Sequence, residues 1–262
     1  RNINYFNFID DNLLVKKDRI IKLCELILKN NLKLKLRTTG IYAKYVDYDT
    51  LNIMKKAGFY YFLFGVESAN NHILKNIHKG ETIEDIQKAI KIAKDLDYNI
   101  GSGFMIGQIG ETEEDCRRSF KFALENNIDY VDFYNIIPYP GTELYEICIK
   151  NKYLLYPMEK YLNEITTRVN KPIFETPELS KKQRKKLFKE GFKIHKLIYK
   201  NNLRKIYLPK LNKIFFKDNF VNNIFKKFIL LFVLNEFINR KIRPRIQTIE
   251  KILLKFLKKW KI

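Results

Sequence analysis

Metal-binding side chains are scarce in this sequence, which has three histidines and three cysteines in 262 residues. Cys24, Cys116 and Cys148 are far apart, and none has a second cysteine within a ligand's reach. An odd, sparse set excludes a disulfide framework and suits a reducing cytoplasm. Each of the three reads as a small buried hydrophobe. His72, His78 and His195 make no pair at helical spacing, so no histidine metal site is expected. Long apolar runs are absent too. The stretch Phe228–Leu234, between Lys226-Lys227 and Glu236, falls far short of the ~20 residues of a membrane-spanning helix. No charged start, apolar stretch and small-residue cleavage site marks a signal peptide. The chain opens on Arg1 with a strand-like run by Asn4, and is expected to begin inside a fold.

What is present is apolar material and an uneven charge. Hydrophobic residues make up 46% and aromatics 14%, enough for one sizeable core and a smaller second unit. Residues 181–262 hold 25 Lys and Arg against 4 Asp and Glu, which is the whole of the chain's net charge of +21. The first 180 residues are balanced. Pro172 and Pro177 interrupt the periodic pattern between the two bodies. Three regions are expected: residues 1–160 as a core, 161–180 as a linker and 181–262 as a basic helical extension.

The core alternates two periodicities. Strand-length apolar or aromatic runs occur at Ile3–Ile9, Lys33–Thr38, Phe59–Val66, Ile100–Ile106 and Tyr130–Ile137. Helical patterns follow each, at Lys17–Lys29, Thr50–Ala57, Ile83–Leu96, Glu113–Asn126 and Glu143–Lys150. Ile86, Ala89, Ile90, Ala93 and Leu96 form one apolar stripe. Two helix starts nearly repeat: GETIED at Gly80–Asp85 and GETEED at Gly110–Asp115. Thr82 and Thr112 are expected caps, with Asp85 and Asp115 closing a weaker form of the capping box. Strand starts about thirty residues apart imply serial βα units and a parallel sheet. Five units are too few for a closed eight-fold barrel. Either the sheet is open and doubly wound, or units are absent at the front.

In both cases chemistry is expected at the C-terminal strand ends. Those ends hold Asp10 and Asp11, then Arg37 to Gly40, then Gly65-Val66-Glu67-Ser68, then Gly107 to Thr112, then Pro138 to Thr142. Capping explains any one of them, but four of the five carry a charge. Glu67 directly follows the buried run FLFGV and needs a partner. It either accepts hydrogen bonds from a ligand's hydroxyl or amino groups, or pairs with Arg37 on the neighbouring strand.

The order FIDD, GVES, Leu74 to Lys79-Gly80-Glu81-Thr82, FMIGQIGET and PYPGTELY resembles the core of the radical S-adenosylmethionine (SAM) superfamily. Within it the chain is most similar to the branch whose members often carry a cobalamin-binding domain ahead of the core. The similarity covers Asn4 to Tyr145, with a weaker echo to Tyr199. It implies an α/β fold, a partial (βα)6 TIM-like barrel whose first βα unit is absent here. That unit carries a CxxxCxxC loop for a [4Fe–4S] cluster, so the cluster's ligands are expected upstream of Arg1. The resemblance also implies SAM as cofactor, cleaved to a 5′-deoxyadenosyl radical, and in the cobalamin branch methyl transfer to an unactivated carbon. Asp10 or Asp11 falls where the family contacts the SAM amino group, and Glu67 and Ser68 where it contacts ribose or the methionine carboxylate. The Gly103–Gly107 strand end falls near adenine, and Arg37 is a candidate carboxylate clamp. Gly110, Glu111 and Pro138 complete the expected cofactor-binding set. Ile109 stands where relatives commonly have proline.

The tail ends in a stripe of Ile246, Ile249, Ile252, Leu253, Phe256, Leu257 and Trp260 with lysines off it. It reads first as helices docked on the core, then as a helix for an anionic membrane surface, and last as a nucleic-acid contact. The expected partners are a small-molecule or lipid-like substrate and an electron donor such as ferredoxin or flavodoxin. The expected location is cytoplasmic, with peripheral membrane association through the tail. Two rival readings remain open: a cluster-less barrel serving as a binding scaffold, and an RNA-modifying radical SAM enzyme.

Overall fold

A computed structural model describes residues 3–214, with Lys227 alone beyond them. Five strands form one parallel sheet: β1 (Tyr5–Phe8), β2 (Lys35–Ile41), β3 (Phe59–Glu67), β4 (Asn99–Ile106) and β5 (Tyr130–Asn135). Among the described residues eight α-helices accompany them, besides a short 3-10 turn at Ala43–Tyr45: α1 (Lys17–Lys29), α2 (Tyr48–Lys56), α3 (Asn71–Asn76), α4 (Ile83–Asp95), α5 (Glu113–Glu125), α6 (Glu143–Lys150), α7 (Met158–Glu164) and α8 (Lys181–Ile214). The strand order is β1-β2-β3-β4-β5. It never reverses, so the sheet lacks the switch point of a doubly wound fold. It winds one way, as an unclosed barrel does.

β3 and β5 alternate buried and half-buried residues, whereas β4 is buried on both faces. Phe62, Phe64 and Val66 of β3, Ile100, Phe104 and Ile106 of β4, and Val131 and Phe133 of β5 enter one core. They meet Ile20 and Cys24 of α1, Leu51 and Met54 of α2, the Ile86–Ala89–Ile90–Ala93 stripe of α4, and Cys116 and Phe120 of α5. Each fully buried phenylalanine or leucine contributes about 2 kcal/mol by leaving water. The opposite face carries Arg37, Tyr61, Gly65, Gly103, Asp132 and Tyr134. The Lys–Leu alternation around Lys35 reflects this division, since Lys35 is exposed and Leu36 buried. That strand is internal, and β1 and β5 are the edges of the described sheet.

Both GET repeats build complete capping boxes. The Thr82 and Thr112 hydroxyls accept from the Asp85 and Asp115 N–H groups, and the two aspartates accept in return. Residues 161–180, expected as a linker, are packed. Tyr161, Ile165, Ile173 and Phe174 join Cys148 in a second apolar cluster. The prolines there break helical periodicity without preventing burial. The contacts divide the chain into units Arg1–Ile198 and Tyr199–Ile262. The expected tail features at Phe228–Leu234 and Ile246–Trp260 lie outside the described residues. No described helix is long and apolar enough to cross a membrane.

Candidate cofactor-binding site

β3 ends in a bend that aims one carboxylate. Glu67 has φ +65°, and the Ser68 N–H donates to the Val66 carbonyl at 2.8 Å. That is a three-residue turn about a left-handed centre, costly for a residue with a side chain. The ladder slips at the same point, since Gly65 faces Gly103 and Glu67 faces Phe104. A bulge of this kind re-aims a side chain at a strand end. The Glu67 carboxylate lies 3.7 Å from the Lys79 ammonium. Burial raises its pKa, Lys79 opposes the rise, and Glu81 adds to it. Any Cβ on Gly65 would sit 2.7 Å from Glu67 Oε1 and 3.3 Å from Lys79 Nζ. Gly103, one strand over, leaves its place clear except for the Tyr134 ring edge at 3.4 Å.

The β4 turn is held from both sides. Glu111 is fully buried, and its Oε2 accepts from the Gly107 and Gln108 N–H groups at 2.7 and 3.0 Å. Its other oxygen accepts from the buried Ser68 hydroxyl at 3.4 Å. Burial pushes the Glu111 pKa up to about 7 against those hydrogen bonds. From α8, the buried Arg184 donates to the Gly107 carbonyl at 2.7 Å and to Leu179 O at 3.1 Å. Its own pKa falls to about 10 through desolvation. Gly107 has φ +86°, and a Cβ there would collide with the guanidinium. Ile109 packs on the second apolar cluster, so this turn is fixed by Glu111 and Arg184 without a proline.

The remaining expected residues are spread around this centre. The Asp10 carboxylate accepts from Arg19 at 2.6 Å near the surface, and Asp11 is exposed. Their main chain abuts Gly40, where a Cβ would lie 2.6 Å from the Asp11 carbonyl. The Pro138 carbonyl accepts from the Tyr161 hydroxyl at 2.6 Å, tying the fifth loop to α7. Gly110 has φ +76° within the β4 turn.

Arg37 does not join Glu67. It donates to Asn7 at 3.0 Å and lies over the Tyr61 ring, 5.1 Å from its centroid. Tyr61 is its register partner and stands six residues before Glu67, roughly 20 Å along a strand. The pairing of Glu67 with Arg37 is therefore replaced by pairing with Lys79, because register sets Arg37 low on the sheet.

Sequence reasoning missed several participants. Lys79 and Glu81 lie 3.5 Å apart, and Glu81 accepts from the Ala43 N–H at 2.7 Å. The GET repeat was a usable signal, since its two glutamates, Glu81 and Glu111, both accept paired backbone N–H groups. A second polar group gathers on β5. Asp132 accepts from Tyr130 and Tyr134 at 3.0 and 2.9 Å and lies 3.3 Å from His195 Nδ1 on α8. No sequence pattern links these positions.

A parallel sheet wound one way, with strained and desolvated groups at its C-terminal ends, defines the class of barrel-type enzyme cores. Residues 1–123 match the radical SAM superfamily. It is 31% identical over 212 residues to an uncharacterised methyltransferase of Pyrococcus horikoshii, covering 77% of this chain and 46% of that one. Among solved structures, it is similar to the radical SAM methyltransferase TsrM of Kitasatospora setae with cobalamin and a [4Fe–4S] cluster bound. That match has a TM-score of 0.53 at 16% identity and covers 72% of this chain and 39% of that chain. Coproporphyrinogen III oxidase (HemN) of Escherichia coli gives a TM-score of 0.52 at 15% identity, covering 72% and 38%. These structures share the fold. The chain spans under half the length of each.

The family implies a [4Fe–4S] cluster. Among the described residues, no group of three or more His, Cys, Asp or Glu side chains could hold a metal ion. The three cysteines are buried on different helices. This chain's thiols do not fit the cluster. The strand-end groups do fit SAM in kind: an acceptor carboxylate, a backbone turn and a glycine floor.

Proposed function

We propose that the C-terminal strand ends cradle SAM in a radical SAM enzyme that transfers a methyl group or abstracts a hydrogen atom. The carrying observation is Glu67, a strained and mostly buried carboxylate whose one cationic neighbour is shared with Glu81. A carboxylate kept in that state suits the ammonium or ribose hydroxyls of the cofactor. Gly65 and Gly103 leave room beside it, and the clamped Gly107–Glu111 turn offers fixed backbone to a flat base. Asp10, Asp11, Ser68, Gly110 and Pro138 frame the same end. When bound, SAM supplies a 5′-deoxyadenosyl radical after one-electron reduction, or a methyl group. The methyltransferase names among relatives support the second outcome, with cobalamin as a further cofactor. The partners of this reading are a small-molecule or lipid-like substrate, an electron donor such as ferredoxin or flavodoxin, and an acidic membrane surface for the tail.

The test uses the longer protein. The residues preceding Arg1 must contain CxxxCxxC, and the anaerobically purified protein must contain iron and sulfide. Glu67→Gln should weaken SAM binding about tenfold or more, as expected for losing a charge-assisted contact, with an unchanged circular dichroism spectrum. Unaltered affinity would remove Glu67 from the site.

A further inference from the structure

Lys79 stands where three segments meet. Its ammonium is 3.7 Å from Glu67 Oε1 at the end of β3 and 3.5 Å from Glu81 Oε1 ahead of α4. It also lies 4.4 Å from the centroid of the Tyr42 ring, beyond β2. Its side chain is 11% exposed, against 22% for Glu67 and 2% for Glu81. Glu81 is satisfied without it, through the Ala43 and Lys44 N–H groups at 2.7 and 3.4 Å. Lys44 does not share the task, because its ammonium donates to Gly80 O at 3.0 Å and lies over the Tyr45 ring. On the other side, the register partner of Glu67 on β4 is Phe104, whose ring turns away into the core. Two carboxylates thus share one ammonium, and Glu67 is the more exposed of the two.

We propose that Lys79 is a positioning residue: it keeps the Glu67 carboxylate ionised and held, while leaving one net negative charge for a cationic or hydrogen-bond-donating group of the bound cofactor. The proposal rests on the SAM-binding reading above. Glu81 sets the balance from the other side, since it draws Lys79 away from Glu67 and repels the Glu67 charge. Full neutralisation by a second cation would remove the attraction for a ligand ammonium. Without any cation, burial and the Glu81 charge would push Glu67 further toward its protonated form.

The two neighbours therefore act with opposite signs. In the cofactor-free protein, the Glu67 carboxyl can be followed by its 13C shift against pH, using Glu67→Gln to assign the resonance. Lys79→Gln should raise the midpoint by about one unit or more, and Glu81→Gln, which still accepts from Ala43, should lower it. Lys79→Arg should restore the wild-type value. SAM binding measured across the same pH range on the complete protein should show an acid limb. That limb should move up in Lys79→Gln, costing about tenfold in affinity at pH values below the wild-type midpoint, and vanish in Glu67→Gln. A Lys79→Gln protein that loses stability or affinity equally at every pH, with the midpoint unmoved, overturns the proposal. An unshifted midpoint in Glu81→Gln overturns it too, even if Lys79→Gln does not fold. If the wild-type protein fails to bind SAM, the functional reading falls, while the carboxyl titrations still decide the role of Lys79.

Discussion

Glu67 ends β3 and Glu111 lies in the turn that follows β4, and burial pushes both toward protonation. They differ in what surrounds them. Glu67 has a shared ammonium and partial exposure, whereas Glu111 is enclosed by its own turn and fully buried. Glu111 therefore leaves a mark on stability. Its folded-state pKa, about 7, lies above the ordinary 4.5, so the native state binds the proton more tightly than the unfolded chain does. The stabilisation is full below pH 4.5 and is lost as pH rises through 7, by up to about 3 kcal/mol. Unfolding free energy measured by urea denaturation should fall across that window. In Glu111→Gln, which can still accept from Gly107 and Gln108, the fall should disappear. A wild-type profile that is flat from pH 5 to 8 would show that Glu111 is ionised throughout.

The helices that begin with a GET repeat are specified by adjacent residues, and that is why their starts were legible. Thr and Asp three apart, ahead of an apolar stripe, can do little else. Removing either hydroxyl, by Thr82→Ala or Thr112→Ala, should cost about 1 kcal/mol. The double variant should cost about the sum, since the two caps belong to different helices. Thermal or urea unfolding reads both. The strand runs were legible for a like reason, because a single buried face imposes period two over Phe62, Phe64 and Val66. Other features have no local cause. The α3 and α7 helices span six and seven residues, too short to show a period. Pairing with Arg37 is one of the two sequence readings of Glu67, because both belong to strand-end motifs. Sequence carries no register, and register sets Arg37 against Tyr61. Lys79 lies twelve residues from Glu67 across a helix and a loop, and Arg184 lies 77 residues from Gly107. Such pairs exist only after the sheet and its covering helices have assembled.

At the scale of the molecule, cluster chemistry has no ligands among this chain's cysteines. Iron is held by thiolates, and the thiolate is the form that burial disfavours. Cys24 on α1 is pushed up to about 12 and Cys148 on α6 to about 11, both chiefly by desolvation. Cys116 on α5 goes higher still, with the neighbouring Glu111 adding to the desolvation. Cys24 and Cys148 pack among apolar side chains and Cys116 sits in the core beside Glu111, so bringing them together would require unfolding the sheet's cover. Anaerobic reconstitution of these 262 residues with ferrous iron and sulfide should therefore leave a protein without the broad charge-transfer absorbance near about 400 nm that Fe–S thiolate bonds produce. Replacing Cys24, Cys116 and Cys148 one at a time by alanine should leave the iron content of the longer protein unchanged. The same changes should lower stability modestly, as expected for small buried hydrophobes. Loss of iron in any one variant would make that cysteine a ligand and overturn the assignment of all three to the core.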